Sequence, residues 1–238
     1  MANVSTSAEY RASPGPQPPD PRPYRIAVLA SGRGSNLQAL LDAIDDGSLQ
    51  AEIVGVFSDR SKAVALQRAR DAGIPARSLA PKRYPGRADF DAAMFAAVEE
   101  ARPDLVVCAG YMRLISAEAV DARPGRMINI HPSLLPAFKG LHTHQQALDA
   151  GVAEHGASVH FVTADLDGGP VIAQARVPVL PGDDADALAA RVLEREHPLL
   201  VETVRWLAAG RVRLSEGAVH VDGAASAPLQ LASNQRFA

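Results

Sequence analysis

The chain has 238 residues, 47% hydrophobic and 21% charged, which is the balance of a soluble globular protein able to bury a core. Its formal charge of −3 argues against a general nucleic-acid binder, whose footprint is strongly basic. The single cysteine, Cys108, excludes a disulfide framework and a thiolate metal site, and no apolar stretch approaches the roughly 20 residues that span a bilayer.

Residues 1–24 carry Pro14, Pro16, Pro18, Pro19, Pro21 and Pro23 among Ser and Ala. Such a segment buries too little apolar surface to offset its ordering entropy, so it reads as a disordered extension. It lacks an apolar h-region and contains Glu9 and Asp20, so a signal peptide is not expected and the protein reads as cytoplasmic.

At Arg25 the pattern changes. Ile26 to Ala30 form a short apolar run suited to a parallel strand, followed by S-G-R-G-S-N at 31–36. Leu37, Leu40, Leu41 and Ile44 then recur at helical spacing. Strand, glycine turn and helix start make a ready anion site, but the same turn also serves tight packing alone. It is not the dinucleotide fingerprint, because Leu37 stands where G-x-G-x-x-G ends on glycine.

The alternation continues with a strand at 53–57, a helix at 63–72 closed by Gly73, a short edge strand at 76–79, a helix at 88–101 and a strand at 105–109. Such alternation predicts a mostly parallel sheet with helices on both faces and a ligand site beyond the carboxyl ends of the strands. Segments 31–36, 110–115 and 129–136 all fall at such ends. Gly110 to Ile115 reads as a loop covering a helix start.

The strand beginning at Arg126 runs into N-I-H-P-S-L-L-P at 129–136. Asn129 and His131 are two apart and share one face of an extended backbone, while Pro132 and Pro136 stop the strand. An amide and an imidazole delivered together suit a site where an oxygen gains charge and a proton moves, although either side chain could equally be a structural hydrogen-bond partner. His142 and His144 open the next helix and make a poor metal site. A strand at 157–162, a D-G turn at 167–168 and a strand at 171–175 read as a hairpin. Two helices, 185–193 and one ending near Gly210, and a last short strand at 212–214 follow. The tail from Ser215 has little periodicity.

The octet, together with D-G-G at 167–169, resembles the active-site signature of the formyltransferases that use 10-formyltetrahydrofolate. G-L-H-T-H at 140–144 is similar to the branch acting on glycinamide ribonucleotide. The resemblance covers about Arg25 to Leu214 and implies three segments: an extension (1–24), a formyltransferase domain of Rossmann-like α/β fold (25–214) and a C-terminal extension (215–238). It implies transfer of a formyl group from 10-formyltetrahydrofolate, as co-substrate, to the amine of 5′-phosphoribosylglycinamide in purine synthesis, without a metal. Asn129, His131 and Asp167 match the catalytic positions. Gly34, Ser35, Asn36 and Glu196 match ribonucleotide contacts. Arg87, Met112, Arg113, Leu114, Ile115, Asn129, Thr163, Ala164, Asp165, Leu166 and Asp167 match folate contacts. For Arg87 the competing account is a surface salt bridge, for Glu196 a solvated helix charge, and for His160 a structural partner of the 163–167 loop. The expected partners are the two small molecules, with neither nucleic acid nor membrane, and the chain as monomer or homodimer. A deformylase using water, a tRNA formyltransferase and a silent binding module are the alternatives.

Overall fold

The apolar runs anticipated at 26–30, 53–57 and 105–109 are neighbouring strands of one sheet. The computed structural model describes residues 22–237. The Pro-rich extension expected over 1–24 therefore lies, up to residue 21, outside the described residues. Arg22 makes a two-pronged ion pair with Asp104 at 2.7 and 2.8 Å, and the first strand already begins at Tyr24.

The order is β1 (Tyr24–Leu29), α1 (Ser35–Asp45), β2 (Ala51–Ser58), α2 (Val64–Asp71), β3 (Ala76–Ser78), α3 (Arg87–Glu100), β4 (Leu105–Cys108), α4 (Ala117–Asp121) and β5 (Met127–His131). There follow α5 (Thr143–Asp149), β6 (Glu154–Phe161), β7 (Val171–Pro178), α6 (Ala185–Ala208), β8 (Val212–Ser215), β9 (Ala218–Val221), β10 (Ala224–Ala225) and β11 (Leu229–Gln230). The main sheet has eight strands in the order β11-β7-β6-β5-β4-β1-β2-β3. All its pairings are parallel except β5 with β6 and β6 with β7.

Both faces of β1 are buried, so its residues read as a continuous apolar run rather than an alternation. Ile26 and Val28 pack with α1, α2 and α6 in one core, while Ala27 and Leu29 pack with Phe90 and Met94 of α3 in the other. Helices thus cover both faces, as expected.

One expectation needs correction. The helices read separately at 185–193 and up to Gly210 are one, α6, which runs through Pro198. Leu188, Val192, Leu199, Leu200 and Val204 lie on its buried side, and this continuous apolar contact outweighs the hydrogen bond that proline removes. The tail is structured: β8, β9 and β10 form a small antiparallel sheet, and β11 pairs with β7 at the edge of the main one.

Candidate active site

Asn129 and His131 project from the end of β5, where proline ends the strand at 132. β6 runs the other way, so Phe161 at its end lies opposite Ile128. The 162–170 loop then returns along β5 and carries Asp167 to His131. Asp167 sits at φ 45°, a left-handed conformation that aspartate tolerates better than most side chains. Gly169 permits the return: a Cβ there would stand 1.8 Å from the Phe161 carbonyl oxygen.

Hydrogen bonds fix the protons. His160 Nδ1 lies 2.9 Å from the Phe161 carbonyl, which can only accept, so Nδ1 carries the proton. Its Nε2 then accepts from Asn129 Nδ2 at 3.1 Å. His131 Nε2 likewise donates to the Phe138 carbonyl at 3.0 Å, which turns Nδ1 toward Asp167 Oδ2 at 3.6 Å. Asp167 Oδ2 also accepts from the Gly140 N–H at 2.9 Å. Burial alone would push the Asp167 carboxyl up, but its contacts with the His160 ring, the Gly140 N–H and the His131 ring outweigh it and hold the group below the usual range. The remaining contacts are long: Asn129 Nδ2 to Asp167 Oδ1 is 3.5 Å and His160 Nε2 to the same oxygen is 3.7 Å. An amide, two imidazoles and a carboxylate thus surround a gap without closing it.

This gap opens into a cavity of about 690 Å³. Met112, Arg113, Leu114 and Ile115 line one side, Thr163, Ala164, Asp165, Leu166 and Asp167 another, and Gly140 to His144 a third. Met112, Leu114, Leu141 and Leu166 are all exposed large hydrophobics at this cavity, an apolar rim suited to a flat ring. Arg113 turns away, its guanidinium 4.9 Å from the Phe90 ring.

Glu196 of α6 also lines the cavity and is not a solvated charge; it is 9% exposed, and Asn36 Nδ2 donates to its Oε1 at 2.5 Å. Burial raises the Glu196 carboxyl, and the Asn36 hydrogen bond only partly opposes this. Gly34, Ser35 and Asn36 are not in the cavity wall, and Asn36 reaches it through Glu196. Gly34 is at φ 75°, and a Cβ on it would come within 2.8 Å of the Ala65 Cα, so the turn requires glycine for packing as well. Arg87 is exposed on the first turn of α3 and is not brought into the wall. Of the histidines weighed as metal ligands, His142 is exposed and the His144 ring meets His155 edge-on at 5.3 Å. No group of three or more His, Cys, Asp or Glu among the described residues could hold a metal ion.

Reading the sequence missed the Phe138 carbonyl and the Gly140 N–H, which are backbone groups without a residue signature. It also left Leu141 unassigned, although the same G-L-H-T-H motif contains it.

The sequence profile of the formyl transferase family matches residues 24–204. The chain belongs to that family. It is 45% identical over 210 residues to the phosphoribosylglycinamide formyltransferase of Escherichia coli K12, covering 88% of this chain and 99% of that one. The solved phosphoribosylglycinamide formyltransferase of Coxiella burnetii superposes with a TM-score of 0.84 at 45% identity, over 87% of this chain and 97% of the other. A formyltetrahydrofolate deformylase of Pseudomonas syringae superposes with a TM-score of 0.78 at 27% identity, over 84% of this chain and 66% of the other. Among the described residues no helix is long and apolar enough to cross a membrane.

Proposed function

We infer that the chain transfers a formyl group from 10-formyltetrahydrofolate to the amine of 5′-phosphoribosylglycinamide, a step of purine synthesis. The observation that carries the chemistry is the open gap between Asn129 Nδ2, His131 Nδ1 and Asp167, where contacts of 3.5 and 3.6 Å are too long to be closed hydrogen bonds. A reacting atom inserted there meets a donor, an imidazole and a carboxylate at once.

The amine attacks the formyl carbon and the carbonyl becomes an oxyanion. Asn129 gives up its long contact to Asp167 and donates to that oxygen, and His131, carrying both ring protons, donates from Nδ1. Collapse breaks the bond to N10 of the folate. The amine loses one proton and N10 gains one, giving formyl-GAR and tetrahydrofolate. Asp167 and His131 assist this exchange, with a bound water as a relay. The apolar walls at 112–115 and 163–166 hold the folate ring, and Arg87 meets its acidic tail outside the cavity. Gly34, Ser35, Asn36 and Glu196 hold the ribonucleotide, its phosphate on the start of α1. No metal takes part. We assign the chain to the cytoplasm as a monomer or homodimer, with these small molecules as its partners and neither nucleic acid nor membrane among them.

The test is absorbance-followed turnover of 10-formyltetrahydrofolate with and without the ribonucleotide. Turnover is expected only when both are present, and Asn129→Ala or His131→Ala is expected to lower it by about 10²–10³. Ribonucleotide-independent turnover would make the chain a deformylase. Near-normal rates in the folded variants would remove those residues from the mechanism.

A further inference from the structure

Ser31, the first residue of the glycine turn, is 2% exposed, and its hydroxyl makes two contacts. It donates to Asp59 Oδ1 at 2.5 Å and accepts from the backbone N–H of Met112 at 3.0 Å. A hydroxyl has one proton. With that proton committed to a carboxylate, in a bond of short, charge-assisted length, a lone pair is left facing Met112. Asp59, just past β2, has a side chain only 7% exposed. The backbone adds a parallel tie, Ser31 N–H to the Gly110 carbonyl at 3.0 Å.

The two segments joined here are anchored unequally. The glycine turn has ties of its own: the Ala65 N–H donates to Gly32 at 3.1 Å and Arg68 Nε to the Arg33 carbonyl at 2.9 Å. The 110–115 segment carries exposed apolar side chains at Met112 and Leu114. Apart from the Gly110 tie and the Ser31 hydroxyl, the hydrogen bond that secures it falls after its end, where the Ser116 N–H donates to Asp91 at 2.7 Å. Tyr111 and Ile115 pack against the core and Arg113 lies on the Phe90 ring, so side chains hold the segment's flanks while the Ser31 hydroxyl ties its backbone at Met112.

We propose that Ser31, oriented by Asp59, is a positioning residue that latches the backbone of Met112 and so fixes the folate-facing wall against the ribonucleotide-facing turn. Neither side chain touches a substrate. The inference rests on the assignment of 110–115 to the folate donor.

The test compares the wild-type chain with Ser31→Ala, Asp59→Asn and Asp59→Ala. It uses dissociation constants for tetrahydrofolate and for the ribonucleotide, and hydrogen exchange at the Met112 amide. Ser31→Ala is expected to weaken tetrahydrofolate binding about tenfold, the order expected for one orphaned buried donor, and to speed exchange at Met112. Ribonucleotide binding should stay within about twofold. Asp59→Asn keeps an acceptor for the hydroxyl and should stay near wild type, whereas Asp59→Ala frees the hydroxyl to rotate and should follow Ser31→Ala. If Ser31→Ala does not fold, the two Asp59 variants carry the comparison.

Unchanged Met112 exchange with unchanged tetrahydrofolate binding would overturn the latch. So would equal weakening of both ligands, which marks a general structural role. Wild-type protein that bound tetrahydrofolate without slowing exchange across 110–115 would overturn the donor assignment itself, and with it the proposal. That failure is visible before any substitution.

Discussion

At Glu196 a carboxyl group lies in the cavity wall with Asn36 as its donor, and burial lifts its pKa above the ordinary 4.5. Below pH 4.5 both the folded and the unfolded chain hold the proton. As the pH rises past that value the unfolded chain releases it first, so the group costs stability increasingly until its folded pKa is passed. Glu196→Gln removes this titration. Its melting temperature relative to wild type should climb between pH 4 and pH 8, and a difference that stayed flat would mean the carboxyl is not raised. The sequence identified Asn36 and Glu196 only by resemblance; their hydrogen bond spans 160 positions, a distance no local pattern reports. The Asn129–His131 pair was different. A two-residue spacing in a strand fixes a common face, so that half of the site was legible from the chain itself.

The elements that shape the site depend on one close approach. In the 162–170 loop the Gly169 Cα lies against the Phe161 carbonyl oxygen, leaving no room for a methyl group. Gly169→Ala must push the loop away from β6 and move Asp167 off His131. Since misplacement by about 1 Å can cost 10²-fold, the variant should lose at least that in turnover while keeping its far-ultraviolet circular dichroism. Activity within a few-fold of wild type would show that the loop tolerates the shift. Most strands and helices were readable because both sheet faces are covered and their apolar runs are unbroken. The break read after residue 193 is absent because contact with the sheet carries α6 unbroken, through Pro198 as well. The helix start read beside the 110–115 loop is the five-residue α4, which Ser116 caps by accepting from the Ala119 N–H at 3.4 Å.

At the scale of the whole molecule the tail completes the main sheet. Glu202 of α6 is 1% exposed and receives hydrogen bonds from Arg205, Trp206, Arg236 and the Phe237 N–H. The Phe237 ring packs edge-on against Trp206 at 5.3 Å. Arg195 meanwhile holds the Leu231 and Ala232 carbonyls at 2.9 and 2.8 Å. Strands of two residues and a buried acid with scattered donors leave no trace in composition, which is why the tail was unreadable. Glu202→Ala releases the tail's charged anchor, where one bond to a charged group is worth about 1.5–3 kcal/mol. At this chain length the melting temperature should fall by roughly 5–10 °C. A shift under 2 °C would mean that Glu202 is not what anchors the tail.

The Asn36–Glu196 bond has a consequence in time as well as space. It joins the helix after the first strand to the last long helix, so this end of the cavity is assembled from two elements that lie far apart along the chain. Contacts so distant along the chain form late, because their loop-closure entropy is large. On dilution from denaturant the helical signal should return first and catalysis last, which makes turnover a clock for the final step of folding.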